Sequence, residues 1–140
     1  MSAAPFIVYA DTREQSIPPF PSGVTVERVT LDAADYTTPV LQGVAVIERK
    51  SVGDFASTIT AGRERFEDEI RRLDGYRWRA IVVEGDLSQV YRATSILGSI
   101  ASFYARHDLP TLFAVNAAGA GRLIAGILKR WEERLGSVAL

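Results

Sequence analysis

The chain has 140 residues, 47% of them hydrophobic and 24% charged, at a formal net charge of -1; this predicts one soluble globular domain and excludes a fibrous or disordered chain. With no cysteine the sequence excludes a disulfide framework, a thiolate zinc site and a cysteine nucleophile, and its one histidine, His107, argues against a histidine-based metal site or triad, so any metal is expected to be held by oxygen. No apolar run approaches the ~20 residues needed to cross a bilayer, and the opening MSAAPFIVYAD lacks the basic flank of a secretory signal, which gives no membrane association and a cytoplasmic location, nucleoid-associated in a bacterium.

In chain order, the apolar run at residues 6–10 ends at Asp11 and reads as a buried strand, with Pro18, Pro19 and Pro21 marking a loop after it. Val24, Val26, Val29 and Leu31 give a second strand. Residues 35–50 read as a hairpin, with a β-branched arm from Asp35, a turn at Gln42-Gly43 and a return strand from Val44. Ser51-Val52-Gly53-Asp54 has the form of a capping box and opens a short helix through Phe55, Ala56 and Ile59. Phe66, Ile70 and Leu73 predict a second helix over 63–73, and residues 80–83 a buried strand closed by Glu84 and Gly85. A helix over 95–107, a strand over 112–115 and a last helix bearing Leu123, Ile127, Leu128, Trp131 and Leu135 complete the pattern. Strands grouped early and alternating with helices later predict a mixed α/β sheet covered by helices on both faces.

Three charged stretches stand at strand ends: Asp11-Thr12-Arg13-Glu14, Asp35, and Glu48-Arg49-Lys50. Hydrolysis of a phosphodiester with a divalent ion needs two or more carboxylates to hold a hard cation, and a nearby positive group to position water or steady developing charge. Strand alternation puts Glu48 and Lys50 on one face and Arg49 on the other, so a carboxylate and an ammonium can address the same phosphate.

Glu48-Arg49-Lys50, three residues and then Asp54 resembles the ERKxxxD signature of XPF-type structure-specific DNA nucleases, a branch of the restriction-endonuclease-like fold. Asp11-Thr12-Arg13-Glu14 resembles the family's first motif, Asp35-Tyr36 its Gly-Asp-Tyr, residues 63–73 its arginine-started helix, and 81–85 the strand after it. The resemblance implies a restriction-endonuclease-like mixed central sheet in a single nuclease domain over 1–140, and a Mg²⁺- or Mn²⁺-dependent endonuclease acting on branched, flap or fork DNA in repair or recombination. It implies Asp35, Glu48 and the main-chain carbonyl of Arg49 as metal ligands, with Asp11 a further candidate. Lys50 would orient the attacking water; Asp11, Glu14 and Asp54 would complete the acidic site, with Arg13 and Arg49 in support. Two departures stand out: Ala34 occupies the family's usual glycine position, and the helix-hairpin-helix modules that commonly follow such a domain have no room here. The resemblance therefore also implies a homodimer or a DNA-binding partner protein, with the last helix as a candidate surface.

Each feature has a plainer use. Asp54 serves equally as a cap partner, Asp11-Thr12 as a turn, and Glu14 as a solvated charge. The six arginines between Arg63 and Arg79 are matched by five acids, which predicts an ion-paired surface with a few phosphate contacts. Gly119-Ala120-Gly121 has the look of a dinucleotide loop, but Ile124 stands where a third small residue belongs. Two other functions fit less of the sequence: a catalytically inactive DNA-binding or scaffold subunit, opposed by the intact Asp35, Glu48 and Lys50, and a nucleotide-binding α/β domain, opposed by the lack of a glycine-rich phosphate loop.

Overall fold

Apolar runs of strand length become the inner strands of one sheet, and the helical stripes that follow them cover it. The computed structural model describes residues 4–90 and 93–138; the first three residues of the N-terminal stretch lie outside the described residues. The chain runs β1 (Phe6–Asp11), β2 (Val24–Val29), β3 (Tyr36–Thr37), β4 (Ala45–Ser51), α1 (Val52–Thr60), α2 (Arg63–Leu73), β5 (Trp78–Glu84), a 3-10 turn at Leu87–Gln89, α3 (Ala93–His107), β6 (Thr111–Ala114) and α4 (Ala117–Val138). The strands form a six-stranded mixed sheet in the order β2-β1-β3-β4-β5-β6. β3 is antiparallel to β1 and to β4, and the other neighbours are parallel.

Side-chain alternation fills two cores. On one face Val46, Ile81 and Val83 pack with Phe55 and Ile59 of α1, Phe66 and Ile70 of α2, and Ile96 and Phe103 of α3. Phe66 meets Phe55 and Phe103 edge-on, at centroid distances of 6.4 and 5.4 Å, each contact adding roughly 0.5–1.5 kcal/mol beyond burial. On the other face Val8, Ala10, Ile47 and Val82 pack with Ala120, Ile124 and Leu128 of α4. Leu123, Ile127, Trp131 and Leu135 lie against that same core, so the stripe on the last helix covers the chain's own sheet, and Trp131 stacks on Trp78 at 6.2 Å.

Two expected strands are shorter than their sequence pattern. β2 stops at Val29 because the Leu31 N–H turns to the Asp11 carboxylate at 2.9 Å and its carbonyl takes Arg13 Nη2 at 2.8 Å. β3 holds only two residues; Thr37 Oγ1 donates to the Ala45 carbonyl at 2.7 Å and Thr38 Oγ1 accepts from the Leu41 N–H at 3.2 Å, so hydroxyls replace ladder bonds. Gly119 and Gly121 lie inside α4, not in a phosphate loop. At Gly121 a Cβ would stand 2.1 Å from the Pro19 carbonyl oxygen, so only glycine lets α4 approach the proline loop this closely. Among the described residues no helix is long and apolar enough to cross a membrane.

Candidate active site

The backbone delivers Asp35 to the end of β4. Its N–H donates to the Ile47 carbonyl at 3.0 Å, and its own carbonyl accepts the Asp11 N–H at 2.8 Å, so it is tied between β4 and β1. Ala34, just before it, has φ 62°, the left-handed region where a Cβ costs about 1–2 kcal/mol. The family's usual glycine would sit there without strain, so the departure noted in the sequence leaves the presenting loop strained. Ala34→Gly is expected to stabilise the protein by about 0.5–1 kcal/mol, relief of strain outweighing the greater freedom of glycine in the unfolded chain. A rise in the urea midpoint checks this; a lowered midpoint would mean that the Ala34 methyl packs usefully enough to offset the strain.

Alternation along β4 divides its terminal charges as the pattern requires. Glu48 and Lys50 follow Val46 on the face of α1, α2 and α3, with Lys50 Nζ 3.8 Å from Glu48 Oε1 and 5.5 Å from the Phe66 ring centroid. Arg49 follows Ile47 toward the other side.

The carboxyls of Asp35 and Glu48 lie close enough to act on each other's ionisation, and Asp35 Oδ2 accepts the Arg49 N–H at 2.7 Å. Burial is the main cause that lifts both groups, Asp35 to about 6 and Glu48 well above the ordinary carboxylate range. Glu14 adds to the first shift and Asp35 to the second, while Lys50 opposes both. Two carboxyls this close in a half-buried cleft titrate as a single unit.

Asp11 behaves differently. Burial works against its charge, but the Arg13 side chain and the N–H groups of Leu31 and Arg13 outweigh it and hold its carboxyl below the ordinary value. Oδ2 accepts from Arg13 Nε at 2.8 Å and the Arg13 N–H at 3.2 Å, and Oδ1 from Arg13 Nη2 at 3.2 Å and the Leu31 N–H at 2.9 Å. Both oxygens are engaged in fixing the turn that carries Arg13.

Arg49 is the hub of the other side. Its Nη1 donates to Glu14 Oε2 at 3.0 Å and to the Ser16 carbonyl at 2.6 Å, while Nε donates to Glu84. Glu14 in turn accepts from the Tyr36 hydroxyl at 2.5 Å, and burial, reinforced by Glu14, pushes that phenol upward. At α1, Ser51 Oγ accepts the Asp54 N–H at 3.1 Å, which caps the helix. The Asp54 carboxylate makes no return bond among the described residues, so the cap does not occupy it.

The sequence-predicted residues therefore line two clefts. One, of about 220 Å³, holds Asp11, Arg13, Asp35 and Glu48, joined by Ala34 and by Glu69 and Arg72 of α2. The other, of about 410 Å³, holds Glu14, Arg49, Lys50 and Asp54 together with Glu84, and Arg13 lines both. Among the described residues no three acidic or histidine side chains converge closely enough to hold a metal between them. Asp35 and Glu48 come together as a pair; Glu14 and Asp54 stand apart from that pair. Sequence reading missed Glu69, Arg72 and Glu84 as site residues. Glu84 was open to detection, since a buried strand ends on it and β5 runs parallel to β4 with Glu84 opposite Ser51.

A family model described as the ERCC4 domain matches residues 10–127. Among solved structures, XPF from Aeropyrum pernix superposes with a TM-score of 0.74 at 26% identity, covering 89% of this chain and 60% of that one. XPF from Aeropyrum pernix in complex with DNA gives 0.76 at 27% identity, with 92% of this chain and 66% of that one covered. This chain thus spans less than two thirds of either relative's length. A search of the curated proteins found no match.

Proposed function

This chain belongs to the ERCC4 domain family, whose XPF-type nuclease fold it shares, and from that membership we propose that its 140 residues form a single nuclease domain that hydrolyses phosphodiester bonds in branched, flap or fork DNA with Mg²⁺ or Mn²⁺. The observation that carries the reading is the Asp35–Glu48 pair, two carboxyls kept together at a strand end with Lys50 3.8 Å from Glu48. Crowded carboxyls with raised pKa values are relieved by a cation between or beside them, and their oxygens are the hard donors that Mg²⁺ and Mn²⁺ prefer. The residues present therefore fit a divalent ion, held by Asp35, Glu48 and the carbonyl of Arg49, the residue whose N–H Asp35 already takes. When bound, such an ion supplies Lewis acidity toward the phosphoryl oxygens and the leaving oxygen.

The chain's own groups do the rest. Lys50, packed over Phe66, orients the attacking water against the phosphate. Asp11 fixes the Arg13 turn, and Arg13 faces both Asp35 and Glu48 closely enough for their charges to act on it. Glu14 and Arg49 lock the end of β4, and Asp54 places a free carboxylate beside Lys50 in the adjoining cleft. The decisive experiment is cleavage by the purified protein, with Mg²⁺ or Mn²⁺, of a panel of single-stranded, duplex, flap, fork and junction DNAs. Cutting confined to branched substrates supports the reading, and failure on all of them with both metals removes it.

The same reading includes pairing with a second copy or with a DNA-binding partner protein. At net charge -1, with 16 basic residues set against 17 acidic ones, one copy has no net positive field to hold DNA, and binding through a few phosphate contacts weakens steeply with salt. Sedimentation at micromolar concentration is expected to show a dimer, or a monomer whose grip on branched DNA at about 150 mM salt is weak until a partner is added. A lone monomer that binds tightly there would sink this part.

A further inference from the structure

We propose that Arg72 is a DNA-phosphate contact of the cleft, taking a backbone phosphate beside the scissile one. The proposal rests on the phosphodiesterase reading of Asp35 and Glu48 and adds a residue that grips the substrate without taking part in bond breaking. Arg72 lies in the last turn of α2 and lines the same cleft of about 220 Å³ as the carboxyl pair, with Arg13 from the β1–β2 turn lining it as well. The two guanidiniums differ in one respect. Both are exposed, but Arg13 is held by the Asp11 carboxylate, whereas Arg72 has no hydrogen bond or ion pair among the described residues.

Among the arginines of this stretch Arg72 combines that freedom with a place in the cleft, whereas Arg65, also exposed and unpaired among the described residues, does not line it. Arg71 is held by Asp68 at 2.6 Å, Arg63 by Glu67 at 3.2 Å, and Arg79 by the carbonyls of Leu73, Asp74, Tyr76 and His107. Glu69, three positions before Arg72 and lining the same cleft, adds its negative charge to the field around Glu48 and is not paired with Arg72. A cation in the last turn also complements the helix dipole, but Arg71 already occupies that turn, and a dipole role would show in stability alone. A free guanidinium beside two carboxyls is suited to a phosphate, which it meets through two parallel N–H donors. Such a contact sets the position of the duplex without reading its sequence.

The test is fluorescence anisotropy of a labelled flap duplex in metal-free buffer across a salt series, with Arg72→Ala, Arg72→Lys and Arg72→Gln. Arg122→Ala, which removes one exposed charge from α4 on the opposite face, is the control. Loss of one phosphate contact is expected to make the slope of log K against log salt shallower by about 0.9 in Arg72→Ala and Arg72→Gln. Affinity should fall roughly fivefold, Arg72→Lys should retain most of the slope, and Arg122→Ala should match the parent. In cleavage, Arg72→Ala should raise KM and leave kcat within about twofold. A parental slope in both neutral variants, or an equal loss in Arg122→Ala, overturns the assignment. Because binding is read without cutting, a chain that grips DNA through Arg72 and cuts nothing overturns the nuclease reading alone. A chain that cuts branched DNA with no Arg72 dependence overturns this inference alone.

Discussion

Glu48→Gln is expected to abolish cleavage and to raise the melting temperature of the same protein. Removing one of the two carboxylates proposed to hold the metal should lower the rate by roughly 10²–10³-fold. The stability change has the opposite sign. Asp35 is raised from 3.8 to about 6 and Glu48 is raised well above its ordinary value, so the folded state binds protons on this pair more tightly than the unfolded chain does. Below about pH 4 both states are protonated and the pair costs nothing; as pH rises through about 6 the folded state must ionise against burial and against its neighbour, and stability is lost. Glutamine keeps the shape, has an N–H that can donate to Asp35, and carries no charge. In metal-free buffer near pH 7.5 the variant should gain about 1 kcal/mol, a rise of roughly 3–6 °C, with the gain fading below about pH 5. Calorimetry in a chelator over pH 4–8 measures it. A variant that cuts at the parental rate refutes the catalytic assignment, and a melting temperature that falls at neutral pH refutes the picture of two carboxyls held together at a cost.

The frame of this site was legible because it depends on local signals. Buried runs closed by charge give β1, β4 and β5, and period-two alternation alone sends Glu48 and Lys50 to one face and Arg49 to the other. The element order, the mixed sheet and the covering of both faces follow from the same pattern, and the ERKxxxD resemblance agrees with the ERCC4 match over residues 10–127. What the sequence concealed lies in side chains that bond to distant backbone. No local rule says that the Asp11 carboxylate takes the Leu31 N–H and ends β2 two residues before the apolar pattern does. Nor does the helical stripe of α2, read from Phe66, Ile70 and Leu73, reveal that Glu69 and Arg72 on its flank reach the cleft. The stripe on α4 was ambiguous for a different reason: an apolar face looks the same whether it covers a sheet or a partner, and only the packing against Val82, Ile47 and Trp78 shows that it covers this sheet.

Arg49→Met should be the most destabilising substitution at the site, although the sequence marks the Arg49 side chain only as a supporting charge, beside a metal-ligand role for its carbonyl. Its side chain is 12% exposed, and the two acids it bridges, Glu14 and Glu84, are 14% and 18% exposed. Methionine keeps the aliphatic volume and removes every donor, leaving two nearly buried carboxylates facing each other and the Ser16 carbonyl without its guanidinium. Stripping one partner from a buried ion network costs about 3–5 kcal/mol, and the slight exposure here puts the expected loss near 3 kcal/mol. Cleavage should fall as well, because the Arg49 main-chain N–H holds the Asp35 carboxyl at 2.7 Å and the two stranded carboxylates disturb this end of β4, although its ladder with β5 remains. Adding Glu84→Gln to Arg49→Met should restore part of the stability, since it removes one of the two stranded charges and makes the pair of substitutions strongly non-additive. Arg49→Lys should fall between parent and Arg49→Met, for a single ammonium cannot reach both acids and the carbonyl with the geometry of the fork. Urea unfolding of the four proteins decides the matter. A loss under about 0.5 kcal/mol in Arg49→Met would reduce the network to an ordinary surface ion pair, and the position of Asp35 would then rest on its main-chain bonds to Ile47 and Asp11 alone.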